Sequence, residues 1–131
     1  MTNEEFLKEI RYDLKNTVAI DFDGVLHKNS KGFFDGTIYD NPIEGTREAL
    51  EYLSKKFNKI IIFTCKAISK RPLVNGKTGT KLVWEWLKKY DLEDYIFDVT
   101  AEKPVAALYI DDSAYRFDNW SKTLKMLDEK F

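Results

Sequence analysis

Two carboxylates two residues apart, Asp21 and Asp23, close an apolar run and are followed at once by Gly24. The run Val18-Ala19-Ile20-Asp21-Phe22-Asp23-Gly24-Val25-Leu26 reads as a buried strand that ends in acid. Like charges placed side by side raise each other's pKa, so the pair is costly unless a cation or a reacting phosphate offsets it. The chain supplies matching parts further on. Ile60-Ile61-Ile62-Phe63 runs into Thr64, and Lys103 precedes a second acid-ended run, Ala107-Leu108-Tyr109-Ile110-Asp111-Asp112. Oxygen-only ligands suit Mg²⁺, which can bridge carboxylate and phosphate. A carboxylate can also take a phosphoryl group as nucleophile and so split one hard step into two easier ones.

These side chains need elements to hold them. The spacing predicts a helix over about Thr2 to Lys15, with Thr2 and Glu5 as a capping box and Phe6, Ile10 and Leu14 as a packing stripe, one that could cover a sheet edge. Strands are expected at Thr17–Phe22, Lys59–Thr64, Tyr95–Val99 and Ala106–Asp111. Helices are expected at about Gly45–Phe57, with Ala49, Leu50, Leu53 and Phe57 on one face, and at about Thr80–Tyr90. A closing helix, Ser121–Phe131, is expected to turn Leu124, Leu127 and Phe131 inward. The stretch from Gly24 to Asn41 exceeds a simple connection, and Gly32 and Gly36 around Phe33-Phe34-Asp35 point to a small hairpin or flap over the strand end. Strands alternating with helices imply a parallel sheet with right-handed crossovers. Ligands of such sheets bind beyond the carboxyl ends of the strands, where Asp21, Thr64 and Asp111 fall.

The totals set bounds. The length of 131 residues fits one domain, 1–131, and 44% apolar with 15% aromatic residues fits a folded globule. A net charge of −1 gives no general pull towards nucleic acid or membrane. A single cysteine excludes an internal disulfide and fits a reducing compartment. The polar start Thr2-Asn3-Glu4-Glu5 does not read as a signal peptide, and no apolar run is long enough to span a bilayer. A cytoplasmic protein with no membrane partner is the expectation.

Read in order, Asp-x-Asp, strand-Thr, Lys and strand-Asp-Asp resemble the haloacid dehalogenase (HAD) superfamily of aspartate-based phosphohydrolases, from about Val18 to Trp120. The resemblance implies an α/β, three-layer Rossmann-like fold around a central parallel sheet. It implies Asp21 as the nucleophile that forms an aspartyl-phosphate, and Asp23 as acid for the leaving alcohol and then base for water. It also implies a Mg²⁺ site built from Asp21, Asp111, the backbone carbonyl of Asp23, and Asp112 as a further ligand or an orienter of water. Thr64 would donate to a phosphate oxygen, and Lys103 would balance charge on the nucleophile and phosphoryl group. The intervals Gly24–Asn41 and Cys65–Glu102 leave no room for a large cap domain. The chain is thus similar to small capless members from phages and bacteria, which act on large substrates or close their sites as homo-oligomers. It resembles more faintly the phosphatase half of polynucleotide kinase-phosphatases, with Ser113 where an arginine usually follows the paired aspartates and Arg116 further on.

Between Lys66 and Trp84 there are five basic residues, including Lys66, Lys70 and Arg71, and no acid. Following Thr64 directly, this segment is either a solvated loop or a contact for an anionic substrate, a nucleotide or nucleic-acid end. Cys65 is expected as a small buried filler, His27 as a loop residue near the site mouth, and Trp84, Trp86 and Trp120 as core. Gly76-Lys77-Thr78 lacks the leading glycine of a phosphate-binding loop, since Arg71 stands there. Two other classes compete with a phosphatase. A response-regulator-like receiver has similar parts in a different order, and a binding module that has lost catalysis would lack a nucleophile or acid that this chain keeps.

Overall fold

The computed structural model describes residues 1–131. Four helices, α1 (Asn3–Asn16), α2 (Thr46–Lys56), α3 (Gly79–Lys89) and α4 (Trp120–Lys130), accompany four strands, β1 (Thr17–Ile20), β2 (Lys59–Phe63), β3 (Asp98–Thr100) and β4 (Leu108–Ile110). All strand pairs are parallel, in the order β3-β2-β1-β4. No helix is long and apolar enough to cross a membrane.

β1 is buried throughout, as its unbroken apolar run requires. Register places Val18 beside Ile60 and Ile20 beside both Ile62 and Ile110, so these side chains share one face of the sheet. With Leu50 of α2 and Val83, Trp86 and Leu87 of α3 they make the core. Thr78 caps α3, its hydroxyl accepting the Lys81 amide at 3.1 Å. Thr2 does the same for α1 through the Glu5 amide, also at 3.1 Å, as the capping-box pattern requires.

The two terminal helices depart from expectation. No residue of α1 is buried, and Phe6 and Leu14 are more than half exposed. Thr17 is both the C-cap of α1 and the first residue of β1, so no loop lets the helix turn back over the sheet. Polar contacts at the amino end of the sheet tie it down instead: Asp13 accepts from Lys59 Nζ at 3.1 Å, and Asn58 donates to the Tyr12 hydroxyl. In α4 the buried residue is Thr123, while Trp120, Leu124, Leu127 and Phe131 are exposed rather than inward or core. Ala49 likewise faces solvent, whereas Leu50 is fully buried. β3 begins later than the sequence suggests, because Glu93–Tyr95 first makes a 3-10 turn.

Candidate active site at the carboxyl ends of the strands

β1, β2 and β3 are laid down in one direction, and β4 then joins the opposite side of β1. The order therefore reverses between β1 and β4, and the crevice at such a reversal is where open parallel sheets bind ligands. Asp21 follows β1 and Asp111 follows β4. The Asp21 amide donates to the Ile110 carbonyl at 2.8 Å, one further rung of the ladder that sets the two acids side by side.

Carboxylate oxygens of Asp21, Asp111 and Asp112 lie within 4.8 Å of one another. Burial pushes the Asp21 carboxyl up to about 6 although the Phe22 amide donates to it at 2.8 Å, and the charges of Asp111 and Asp112 push the same way. Asp111 is held below the ordinary carboxylate range by the Ser113 amide at 2.8 Å and its hydroxyl at 3.2 Å. None of the three acids forms an ion pair with lysine or arginine. Three oxygen donors with uncompensated charge are a set that could hold a hard divalent cation.

Asp23 has a different setting. His27 Nδ1 stands 2.8 Å from its Oδ1, and Lys66 Nζ 3.3 Å from its Oδ2. Burial alone would raise its pKa, but the His27 hydrogen bond and the Lys66 charge outweigh that and hold it below the usual value. The DxD pair thus splits into one carboxyl that retains a proton easily and one that stays ionised.

Thr64 is buried, and its backbone N–H continues the β2–β3 ladder to the Thr100 carbonyl at 2.9 Å. Its hydroxyl oxygen accepts the Lys66 amide at 3.2 Å, which leaves its O–H free to donate. Lys103 lines a cavity of about 480 Å³ beside Asp111, together with Tyr109, Tyr115 and Arg116. Its Nζ sits 4.9 Å from the Tyr109 ring centre rather than on a carboxylate.

The basic segment is not one continuous strip. Lys66 is buried against Asp23, Lys77 pairs with Glu85 at 2.9 Å, and Lys70 is exposed. Arg71 stacks on Phe33 at 5.2 Å, and both line a second cavity of about 200 Å³ that Lys66 also reaches. Cys65 is exposed, not a buried filler, because the 3-10 turn Cys65–Ala67 turns it outward while Lys66 points in. Gly76-Lys77-Thr78 belongs to a tight turn: Asn75 and Gly76 both have positive φ, and Val74 and Lys77 exchange two bonds of 3.0 Å. The Asn-Gly pair was the sequence signal for that hairpin.

The expected flap exists as a loop whose ends are pinned. Lys28 donates to Asn41 at 3.0 Å and Ile43 to Leu26 at 2.8 Å, leaving Phe33 and Phe34 exposed at its tip. His27 is not at the mouth of the site. It is fully buried among Phe22, Tyr39 and Trp86, and its spacing of four from Asp23 was the one available sign.

Comparison of the chain with protein-family models, curated proteins and solved structures gave no match. Fold and site together define an α/β protein with a carboxylate cluster at the switch point of a four-stranded parallel sheet.

Proposed function

We propose that this chain is a Mg²⁺-dependent phosphomonoester hydrolase of the HAD type, with a three-layer Rossmann-like, capless fold. The observation that carries the reading is the Asp21–Asp111–Asp112 cluster, its oxygens within 4.8 Å at the β1/β4 switch point. Mg²⁺ held by these three carboxylates would supply charge neutralisation for the phosphoryl oxygens.

Asp21 attacks phosphorus as the ionised carboxylate, and the ester oxygen leaves with its electron pair and takes a proton. Water then attacks the aspartyl-phosphate, releases phosphate and regenerates Asp21. Thr64 O–H donates to a phosphoryl oxygen. Asp23, kept ionised by His27 and Lys66, is set up for the second step as base towards the attacking water. Its acid role in the first step needs a proton on the same carboxyl, which an adjacent phosphate dianion favours, because a neighbouring negative charge raises a carboxyl pKa. Lys103 and Arg116 beside Asp111, with Tyr109 and Tyr115, suit an anionic, ring-bearing leaving group such as a nucleotide or nucleic-acid end. Of the basic segment, Lys70 and Arg71 would serve as further anion contacts, while Lys66 is committed to Asp23.

The test is phosphate release from nucleotides, sugar phosphates, a phosphopeptide and end-phosphorylated oligonucleotides, with Mg²⁺ or chelator. Turnover that needs Mg²⁺ and disappears in Asp21→Asn is the expected result. No release from any of them by the wild type would overturn the reading in favour of a binding module.

A further inference from the structure

His27 is the sole histidine of the chain and is fully buried, yet the two-step chemistry above uses it only to keep Asp23 ionised. Its ring is held at both nitrogens. The Asp40 backbone N–H can only donate, and it points at Nε2 from 3.1 Å, so Nε2 is the acceptor. A neutral imidazole with an acceptor at Nε2 carries its proton on Nδ1, which then donates to Asp23 Oδ1 at 2.8 Å. Asp40 is itself fixed at the next peptide group, because the Trp86 indole N–H donates to its carbonyl at 2.9 Å. An unbroken line of donors thus runs from α3, through the returning end of the flap and the His27 ring, to the carboxyl of Asp23. Stacking on Phe22 at 5.5 Å and edge contacts with Tyr39 and Trp86 leave the ring no room to turn.

We infer that His27 is a positioning residue for Asp23: its Nδ1–H fixes which carboxylate lone pairs remain for the reacting oxygen. Lys66 holds Oδ2, and His27 occupies one side of Oδ1, so proton transfer at Asp23 is confined to the lone pairs facing the crevice. A general acid works only when its proton lies within hydrogen-bond reach of the leaving oxygen. The kinetic consequence rests on the phosphatase reading, whereas the tautomer and its link to Asp23 do not.

Two experiments decide it. Long-range ¹⁵N–¹H spectra of the labelled protein read this ring alone, since no other histidine contributes. The expected pattern is a protonated Nδ1 and an unprotonated Nε2, with the Nδ1 signal moved in Asp23→Asn. The opposite tautomer, or no response to Asp23→Asn, would sink the inference whether or not the protein turns over any phosphate.

The second experiment compares p-nitrophenyl phosphate, whose leaving group needs no proton, with glycerol phosphate, whose alkoxide does. His27→Phe keeps a ring in the cavity without the donor, and His27→Asn returns an N–H near the Nδ1 position. His27→Phe should lower kcat/KM on glycerol phosphate, which reports the steps through loss of the leaving group and not the later attack of water, by about 10²-fold, the low end of general acid catalysis, and change kcat/KM on p-nitrophenyl phosphate far less. His27→Asn should recover part of that loss. Equal losses on both substrates, in variants whose unfolding temperatures match the wild type, would reduce His27 to a packing residue.

Discussion

The Cβ that residue 24 lacks would stand 2.4 Å from Asp112 Oδ2. Gly24 also has φ of +84°, a backbone conformation that side-chain-bearing residues rarely adopt. One glycine therefore both turns the chain after the DxD pair and makes room for the third carboxylate of the cluster. Gly24→Ala should cost about 1 kcal/mol from the backbone alone and push Asp112 away from Asp21 and Asp111. Weaker Mg²⁺ binding in calorimetry, with only a modest fall in unfolding temperature, is the expected pair of results. Unchanged metal affinity would show that Asp112 is not needed in the cluster.

Gly79 makes a different demand. A Cβ there would lie 1.7 Å from the Lys66 carbonyl oxygen, which belongs to backbone and cannot swing aside. The first turn of α3 is packed on the short turn that carries Lys66 to Asp23. Gly79→Ala should cost roughly 1–3 kcal/mol, as overpacking does, and should loosen the Lys66–Asp23 pair. At Gly32, where a Cβ meets nothing within 4 Å, the same change should cost less, by only the strain of its positive φ. Chemical unfolding of the two variants gives the comparison, and a smaller loss at Gly79 than at Gly32 would contradict the packing argument.

The place of the candidate site was legible because its acids and Thr64 end apolar runs, and the end of a parallel strand is a fixed place in space. Which neighbours those residues would meet was not legible. His27 looked like a loop residue because its enclosure comes from Trp86, brought over by α3, and from Tyr39 at the far end of the flap. Lys66 read as one charge in a basic run, yet a 3-10 turn reverses it into the protein while Cys65 goes out. A residue-by-residue pattern cannot show such a turn. The stripes of α1 and α4 were periodic enough to predict helices, but periodicity names a face without saying what lies opposite. Here both stripes are largely exposed.

Trp86 joins the core to the site through a single polar atom. Its indole N–H donates to the Asp40 carbonyl, while its rings pack 5.0 Å from Phe22. Trp86→Phe keeps much of the ring but strands that carbonyl, for a loss of roughly 1–3 kcal/mol. The amide of Asp40 should also exchange its hydrogen faster, because the residue is released at the neighbouring peptide group on its carbonyl side. Global destabilisation without any change local to the flap would mean that Trp86 acts by volume alone.

Asp21 sets a stability cost that the proposed function requires. Its folded pKa of about 6 stands above the ordinary 3.8, so the folded protein binds this proton more tightly than the unfolded chain does. The resulting stability is fully present below about pH 4 and is lost as pH rises through 6, so the metal-free protein pays for an ionised Asp21 at neutrality. Asp23 and Asp111, whose values are lowered, act in the opposite sense and in a lower window, losing their contribution as pH falls below the ordinary 3.8. The difference between wild type and Asp21→Asn in unfolding between pH 4 and 6.5 therefore isolates Asp21. The expected loss across that window is roughly 1 kcal/mol, after discounting for solvent around a half-buried carboxyl. Asp21→Asn, neutral at every pH and similar in shape, should flatten the slope and raise the unfolding temperature at pH 7 in chelator while abolishing turnover. Mg²⁺ should raise it in the wild type by more than in Asp21→Asn, since the ion binds the charge that the folded state finds costly. A wild type whose stability follows the same pH dependence as Asp21→Asn from pH 4 to 6.5 would remove Asp21 as the strained member of the cluster.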